Sequence, residues 1–325
     1  MANKNLHKAK KAKSDEFYTQ LADIEKELWE YKDYFKDKVI YCNCDDPRVS
    51  NFVQYFTLNF KFFGLKKLIS TCYKHKDIWD FGKEGKDDSA IALIYEGTKN
   101  ENQIPDDEDF IIKPLKGDGD FRSLECIEFL KEADIVVTNP PFSLFREYVD
   151  QLMAYQKKFI ILGNNNAITY KEIFRYIKEG QLWLGYNANK TIEFIVPDDY
   201  PIANPKTRKI IEGIHYQQVP AITWFTNLNH KKRNEDLILY KKYNEQDYPK
   251  YDNYDAIEVS KIKDIPEDYY EVMGVPITFL DKHNPEQFEI VGIDRYVIEE
   301  NFGYVSRFFI NGKEKYARIL IKRKN

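Results

Sequence analysis

Two spacings of apolar residues alternate along the first half of the chain, one typical of helices and one typical of buried strands. Helical spacing recurs on two stripes, which are Leu21, Ile24, Leu28, Tyr31 and Phe35, and then Val49, Phe52, Val53, Phe56 and Phe60. Short continuous apolar runs of strand length occupy residues 38–43, 67–73, 90–95, 134–138 and 158–162. Further helical patterns follow Ser143 and Thr169. This alternation predicts an α/β fold in which helices cover both faces of a parallel sheet.

The second helical stripe is preceded by residues that favour the start of a helix. A side-chain oxygen of Asp45 or Asp46 is expected to accept from the exposed backbone amides of the first turn. Pro47 then suits the first helical position, where no amide donor is needed.

The texture of the chain changes beyond about residue 185. Apolar runs become shorter, and tyrosine, asparagine, aspartate and proline become denser, without a clear alternation of strand and helix. Strands are predicted at residues 191–196 and 221–227. The sequence therefore predicts two parts, residues 1–185 and residues 186–325.

Composition limits the class of protein. Of the 325 residues, 43% are hydrophobic and 15% aromatic, which is enough to bury a core. An apolar run long enough to cross a bilayer is missing from the sequence, as is a signal peptide, so we expect a cytoplasmic protein. The four cysteines lack the paired spacing of a zinc site, so we expect reduced thiols and no metal centre.

Charge is informative through its distribution more than through its sum. The formal net charge of −4 is not the footprint of a strongly basic nucleic-acid-binding domain. Lysine and arginine nevertheless cluster within residues 8–13, 231–233 and 313–324. Any one such run is usually a solvated face, but three together favour a partner that carries phosphate.

The strongest local signal is the sequence Asn139-Pro140-Pro141-Phe142, which follows the apolar run 134–138 and precedes a helical pattern. In an open α/β sheet, ligands bind beyond the carboxyl ends of the strands, so this turn lies where chemistry is expected. The two prolines fix the backbone and remove two amide donors, leaving carbonyl oxygens and the Asn139 amide. The alternative is a simple strand-ending turn, because Asn-Pro commonly begins one.

Acceptors in a rigid turn suit an amino group whose lone pair is delocalised, such as N6 of adenine. The Asn139 side-chain oxygen and the Pro140 carbonyl can each accept one N–H and point the lone pair at an incoming methyl carbon. Phe142 is predicted to stack on a base that has left the duplex. The motif alone indicates methylation of a planar nitrogen. It is similar to the Asn-Pro-Pro-Tyr motif of enzymes that methylate a protein glutamine amide, so the motif does not choose DNA.

Two other functions compete with methyl transfer. Carboxylates at residues 106–109, together with Asp118 and Asp120, could hold magnesium in a metal-dependent nuclease. The basic clusters and the tyrosines near the C-terminus suit a DNA-binding protein without catalysis, but that reading leaves residues 139–142 unexplained.

The chain resembles the EcoRI-type adenine-N6 DNA methyltransferases, which use S-adenosylmethionine. The resemblance runs through nearly the whole chain, in residues 13–20, 41–51, 117–122, 134–145, 248–256 and 273–279. It implies a Rossmann-like class I methyltransferase sheet with a C-terminal target-recognition region. Residues 1–185 then form the catalytic domain that binds S-adenosylmethionine, and residues 186–325 read the DNA.

The resemblance also implies roles for single residues. Phe17, Tyr18 and Thr19 would close over the methionine end of the cofactor, near Cys42, Asn43 and Asp45 at the tip of the first strand. Asp120 and Phe121 match a pair that recognises the cofactor's adenine, and Asn139 would lie between cofactor and target. Two features depart from the usual pattern, because a glycine-rich loop does not follow the first strand and an acidic residue does not end the second.

The biological setting follows from the same resemblance. It implies a modification enzyme that acts on double-stranded DNA, beside a restriction endonuclease of the same specificity. Methylation of one strand at a time does not require a dimer, so we expect a monomer. A GAATTC-like sequence is the expected site, with the second adenine as the target.

Overall fold

The computed structural model describes residues 18–73, 90–99, 105–195, 207–211, 213–218, 221–304 and 306–324. They form two compact units. As far as it is described, the first unit comprises the chain up to Asn165 together with Lys190–Leu228, and the second comprises Asn166–Asn189 and Asn229–Asn325.

The strands, in chain order, are β1 (Tyr18–Thr19), β2 (Val39–Cys42), β3 (Lys67–Thr71), β4 (Ile91–Tyr95), β5 (Phe110–Pro114), β6 (Ile135–Thr138), β7 (Lys158–Asn164), β8 (Trp183–Leu184), β9 (Glu193–Ile195), β10 (Arg208–Ile211), β11 (Ile214–Gln218), β12 (Ile222–Thr226), β13 (Lys250–Tyr251), β14 (Tyr254–Glu258), β15 (Met273–Pro276), β16 (Phe288–Ile293), β17 (Phe309–Ile310), β18 (Lys313–Glu314) and β19 (Arg318–Arg323). The α-helices are α1 (Leu21–Leu28), α2 (Asn51–Leu58), α3 (Phe60–Phe63), α4 (Leu124–Glu132), α5 (Phe145–Ala154), α6 (Lys171–Lys178) and α7 (Asp294–Phe302). Among the described residues, helices long and apolar enough to cross a membrane are absent.

A large mixed sheet dominates the first unit, with its strands in the order β5-β4-β3-β2-β6-β7-β12. The predicted parallel arrangement is confirmed for the four central strands, where β2 pairs with both β3 and β6, and β6 pairs with β7. It is wrong for β4, which runs antiparallel to β3 and pairs Leu68 with Tyr95. An antiparallel neighbour needs no helical crossover, so the apolar run at 90–95 carries no information about its direction.

Helices α1 and α2 pack their apolar sides against this sheet. The stripe predicted for the first helix is buried in the same core as the strands, and it continues past α1 through a 3-10 helix at Trp29–Tyr34. Trp224 of β12 joins this core with its ring edge against Phe52 of α2. The first predicted stripe is thus confirmed as core-forming. The second is confirmed except for Val49, which precedes α2 and is 45% exposed.

The start of α2 differs from the prediction. Helix α2 begins at Asn51, and its N-cap is Ser50, whose hydroxyl accepts from the amides of Phe52 and Val53. Neither aspartate caps it, because the Asp46 carboxylate accepts from Arg48 and the Asp45 carboxylate accepts from the Ser50 hydroxyl. Hydrogen bonds inside the loop therefore displace the helix start by several residues.

Two strands expected in the second region belong to the first unit. The run predicted at 191–196 gives β9, in a small antiparallel sheet of order β1-β9-β11-β10. The run predicted at 221–227 gives β12, which adds to the large sheet antiparallel to β7. The two compact units therefore do not follow the order of the chain.

The second unit is built around a sheet of order β13-β14-β15-β19-β16. Its interior holds a buried ion pair, in which the Arg318 guanidinium donates to the Glu258 carboxylate at 2.7 and 3.0 Å. The hydroxyl of Tyr251 donates to the same carboxylate. Both charged residues are at most 8% exposed, so each supplies the other's counter-charge.

Candidate active site

The Asn139 turn lies at the carboxyl end of β6, a fully buried strand between β2 and β7. Asn139 is 7% exposed, Pro140 is buried and Pro141 is half-buried. A 3-10 turn at Phe142–Leu144 leads directly into α5, with the Leu144 amide donating to the Pro141 carbonyl at 3.0 Å. The predicted sequence of strand, stiff turn and helix is confirmed.

Phe142 is only 8% exposed and packs into the hydrophobic core of the first unit. A base approaching the turn would therefore meet a small part of its ring. The remainder of the ring fixes the turn against the sheet.

The loop after β2 is tied to the strand that carries the turn. The Thr138 hydroxyl donates to the Asp45 carboxylate and accepts from the Cys44 amide at 3.2 Å. Ser70, at the end of β3, donates to the Asp45 carbonyl at 2.7 Å. Hydrogen bonds centred on one buried aspartate thus join the ends of three adjacent parallel strands.

Asn43, the first residue after β2, is 1% exposed and has unmet hydrogen-bonding capacity. Its side-chain oxygen accepts from the Tyr148 hydroxyl, whereas its Nδ2 has no hydrogen-bond partner among the described residues. The hydroxyl oxygen of Thr19 in β1 is likewise buried without a partner in the described part of the chain. Buried polar groups are normally satisfied, so these two atoms are candidate hydrogen-bonding groups for a polar ligand.

The loop at residues 117–120 lies across the end of β3. Gly119 has a φ of +76°, and a Cβ there would overlap the carbonyl oxygen of Cys72, so only glycine fits. The Asp120 carboxylate accepts from Arg122 at 2.6 and 2.8 Å, and this guanidinium lowers the pKa of Asp120. Phe121 beside it is buried, with its ring edge-on to that of Tyr148.

The remaining residues predicted to bind the cofactor are either buried in the core or only partly described by the structure. The Cys42 side chain is fully buried in the core, where burial raises the pKa of its thiol. Phe17 lies outside the described residues, and Tyr18 is described only through its backbone pairing with Ile195. The cysteines of the chain form no disulfide.

Comparison with known proteins adds to this geometry. The family model described as adenine-specific methyltransferase EcoRI matches residues 5–324. The chain belongs to this family. The Type II methyltransferase M.EcoRI of Escherichia coli is 53% identical to it over 99% of the chain and 97% of the relative.

Two mycoplasma proteins are similar along their full length as well. M.MgeORF184P of Mycoplasma genitalium is 41% identical and M.MpnI of Mycoplasma pneumoniae is 38% identical, each over 98% of both chains. Both are named Type II methyltransferases. No solved structure shows a significant match to the chain. The resemblance inferred from short motifs is therefore confirmed across the whole sequence, and S-adenosylmethionine is the methyl donor of the family.

Acidic residues that suggested a nuclease accept hydrogen bonds from backbone amides in this methyltransferase. Asp106 caps the short 3-10 helix Asp107–Asp109 and accepts from the Glu108 amide at 3.0 Å. Asp109 accepts from the amides of Lys99 and Asp106. Among the described residues, clusters of three or more His, Cys, Asp or Glu side chains able to hold a metal ion are absent. The family assignment favours methyl transfer over the nuclease reading.

The basic cluster at 231–233 is largely engaged within the second unit. Lys232 pairs with the buried Asp281, and the Arg233 guanidinium stacks 3.9 Å from the centre of the Trp183 ring. Lys231 is exposed. The run of lysines at residues 8–13 lies outside the described residues.

Sequence reasoning missed Thr138, Ser70 and Tyr148, although each contacts a residue that it had selected. A threonine in an apolar strand and a tyrosine on an apolar helix face look like ordinary core residues. Their hydrogen bonds span about 25 to 105 positions of the chain, so only the folded arrangement reveals them.

Proposed function

We propose that this methyltransferase transfers the methyl group of S-adenosylmethionine to N6 of an adenine that has left the DNA duplex, at the Asn139 turn. The observation that carries the proposal is a rigid turn of acceptors at the end of a central parallel strand, hydrogen-bonded to the loop that holds Asn43. Membership of the adenine-specific family supports adenine as the base that carries the reacting nitrogen.

Bound S-adenosylmethionine supplies an electrophilic methyl carbon. The Asn139 side-chain oxygen and the Pro140 carbonyl would each accept one N–H of the adenine amino group. That arrangement pulls the nitrogen toward tetrahedral geometry and points its lone pair at the methyl carbon. Removal of one such preorganised group typically costs about 2.7–4 kcal/mol of transition-state stabilisation. Because the prolines fix the acceptors beforehand, little reorganisation is needed during transfer.

The residues proposed to bind the cofactor lie on the loops around the Asn139 turn. Asn43 Nδ2 and the Thr19 hydroxyl are suited to the carboxylate and ammonium of the methionyl group, with Phe17 and Tyr18 beside them and the Cys42 backbone below. Asp120 and Phe121, in and after the loop across the end of β3, would hold the adenine. Asp45 acts through its hydrogen bonds to Ser50 and Thr138, which set the shape of the loop.

A direct experiment tests the reaction. The protein is expected to move labelled methyl from S-adenosylmethionine to adenine in duplex DNA, and Asn139→Ala should abolish transfer while its circular dichroism and thermal unfolding stay normal. Gln54→Ala, at an exposed position of α2, serves as the matched control and should be fully active. Near-normal turnover of Asn139→Ala would refute the proposed mechanism.

The stacking role of Phe142 is tested by comparing the Phe142→Ala variant on two DNA substrates. Phe142→Ala should slow transfer more on an intact duplex than on a target base opposite a gap, because unstacking then costs less. Equal losses on the two substrates would count against a role in holding the flipped base.

Target choice is proposed to reside in residues 186–325, with a GAATTC-like site methylated on its second adenine. Mapping methylated adenines in DNA exposed to the protein tests both reaction and site. We further infer a cytoplasmic monomer that protects DNA from an endonuclease of the same specificity. Native mass spectrometry checks the monomer, and digestion of modified DNA by an endonuclease that cuts the mapped site checks protection.

A further inference from the structure

Tyr148 is a fully buried residue in the middle of α5, the helix that follows the Asn139 turn. It makes two different contacts. Its hydroxyl donates to the side-chain oxygen of Asn43, at the end of β2. Its ring packs edge-on against Phe121, with 5.0 Å between ring centres and 75° between planes.

We propose that Tyr148 is a positioning residue for both ends of the S-adenosylmethionine site, orienting the Asn43 amide with its hydroxyl and seating Phe121 with its ring. The inference deepens the proposed function, on which it rests through the assignment of Asn43 and Phe121 to the cofactor.

The hydroxyl decides which way the Asn43 amide points. A primary amide has one acceptor oxygen and one nitrogen with two donor hydrogens. Because Tyr148 donates to the oxygen, the nitrogen must face the other way, and it has no partner among the described residues. The Cys44 thiol also lies on the oxygen side, 3.8 Å away. The nitrogen is thus presented as a donor, which suits a carboxylate such as that of the methionyl group.

The hydroxyl keeps this role over the usual range of assay pH. Burial raises the pKa of Tyr148 well above its ordinary value, so the side chain stays protonated and continues to donate. The amide of Asn43 is therefore held in one orientation over that range of pH.

Helix α5 holds the Phe121 segment at a second point. Gln151 lies one turn beyond Tyr148, and its Nε2 donates to the Phe121 carbonyl at 3.3 Å. The ring of Tyr148 fixes the Phe121 side chain while Gln151 fixes its backbone. One face of α5 therefore positions Phe121 at the adenine end of the proposed cofactor site. The Tyr148 hydroxyl on the same helix positions Asn43 at the methionine end.

Ligands that carry only part of the cofactor separate these two roles. S-adenosylhomocysteine has the adenosine and the amino acid, whereas 5′-methylthioadenosine keeps the adenosine and the thioether sulfur but lacks the amino acid. Tyr148→Phe keeps the ring and removes the hydroxyl. Its affinity for S-adenosylhomocysteine should fall about tenfold, the effect of one hydrogen bond, while its affinity for 5′-methylthioadenosine is unchanged. Tyr148→Leu should weaken both.

Tyr31→Phe is the matched control, since it removes another buried tyrosine hydroxyl from the first unit, one that donates to Glu27. It should leave both affinities unchanged. Equal loss for the two ligands in Tyr148→Phe, or no loss for either, would overturn the proposal, because a general structural defect does not distinguish the ends of the cofactor.

A double-mutant cycle keeps the proposal testable if Tyr148→Phe unfolds more easily. Asn43→Ala should lower the affinity for S-adenosylhomocysteine, and adding Tyr148→Phe to it should cause no further loss. Additive losses would overturn the proposal. Failure of the wild-type protein to bind S-adenosylhomocysteine would instead refute the proposed function, so the two failures are distinguishable.

Discussion

Thr138 ties the strand that carries the Asn139 turn to the loop after β2, and its replacement by valine tests that tie. Valine has nearly the same shape, so Thr138→Val removes the hydroxyl without opening a cavity. The variant loses the donor to the Asp45 carboxylate and the acceptor for the Cys44 amide at 3.2 Å.

The expected magnitude follows from the two bonds. A buried hydrogen bond to a charged group contributes about 1.5–3 kcal/mol, and a neutral one about 0.5–1.5 kcal/mol. Thr138 is fully buried, so water does not replace either bond. The free energy of unfolding of the first unit should therefore fall by about 2–4.5 kcal/mol.

Thr226 provides a closely matched control in the same sheet. It is also fully buried, and its hydroxyl donates to the Phe159 carbonyl at 2.7 Å and accepts from the Leu228 amide at 3.0 Å. Because both partners are neutral, Thr226→Val should cost about 1 kcal/mol less than Thr138→Val.

Urea unfolding followed by tryptophan fluorescence measures the stability, and labelled-methyl transfer per folded molecule measures the effect on the turn. Thr138→Val should slow transfer at least tenfold, whereas Thr226→Val should transfer normally. Equal stability losses together with normal transfer by Thr138→Val would refute the reasoning that Asp45 and Thr138 position the turn.

Three further changes have defined outcomes. Gly119→Ala should weaken binding of S-adenosylmethionine in calorimetry, because its Cβ would overlap the Cys72 carbonyl and displace the loop. Glu258→Gln should cost the second unit about 3–5 kcal/mol in hydrogen exchange, since the buried Arg318 guanidinium loses its counter-charge. Burial lowers the pKa of His283 from 6.5 to about 4. As the pH falls, this imidazole is therefore protonated in the unfolded chain at a higher pH than in the folded protein. Stability relative to His283→Gln should therefore be lost between about pH 6.5 and pH 4 in denaturant titrations.

Each of these changes has a control or a contrary outcome. Gly213 also has a positive φ, of +79°, but a Cβ there would meet open space. If Gly213→Ala binds S-adenosylmethionine normally and Gly119→Ala binds it weakly, the loss is caused by the overlap with the Cys72 carbonyl and not by the backbone conformation. Asp255→Asn breaks an exposed pair with Lys250 and should change stability by less than about 0.5 kcal/mol. An identical pH response of wild type and His283→Gln would show that the imidazole is not held neutral by the fold.

The sequence was sufficient where local pattern and local chemistry agree. The apolar runs that became β2, β3, β6 and β7 are buried on both faces, so continuous hydrophobicity identified them to within one or two residues. The turn at Asn139 was recognisable because its prolines constrain the backbone whatever surrounds them. Long matching segments then identified the family, which a four-residue motif does not do.

Tertiary structure decided what depends on neighbours distant in the chain. The direction of β4, the placement of β12 beside β7 and the start of α2 at Asn51 are set by pairings and hydrogen bonds that no short window contains. The same is true of Tyr148, whose hydroxyl meets Asn43 across 105 positions. The sequence by itself indicated the turn that is proposed to carry the chemistry, because residue type and stiffness are local properties. The fold decided which buried side chains hold them in place, because orientation arises only from contacts made after the chain has folded.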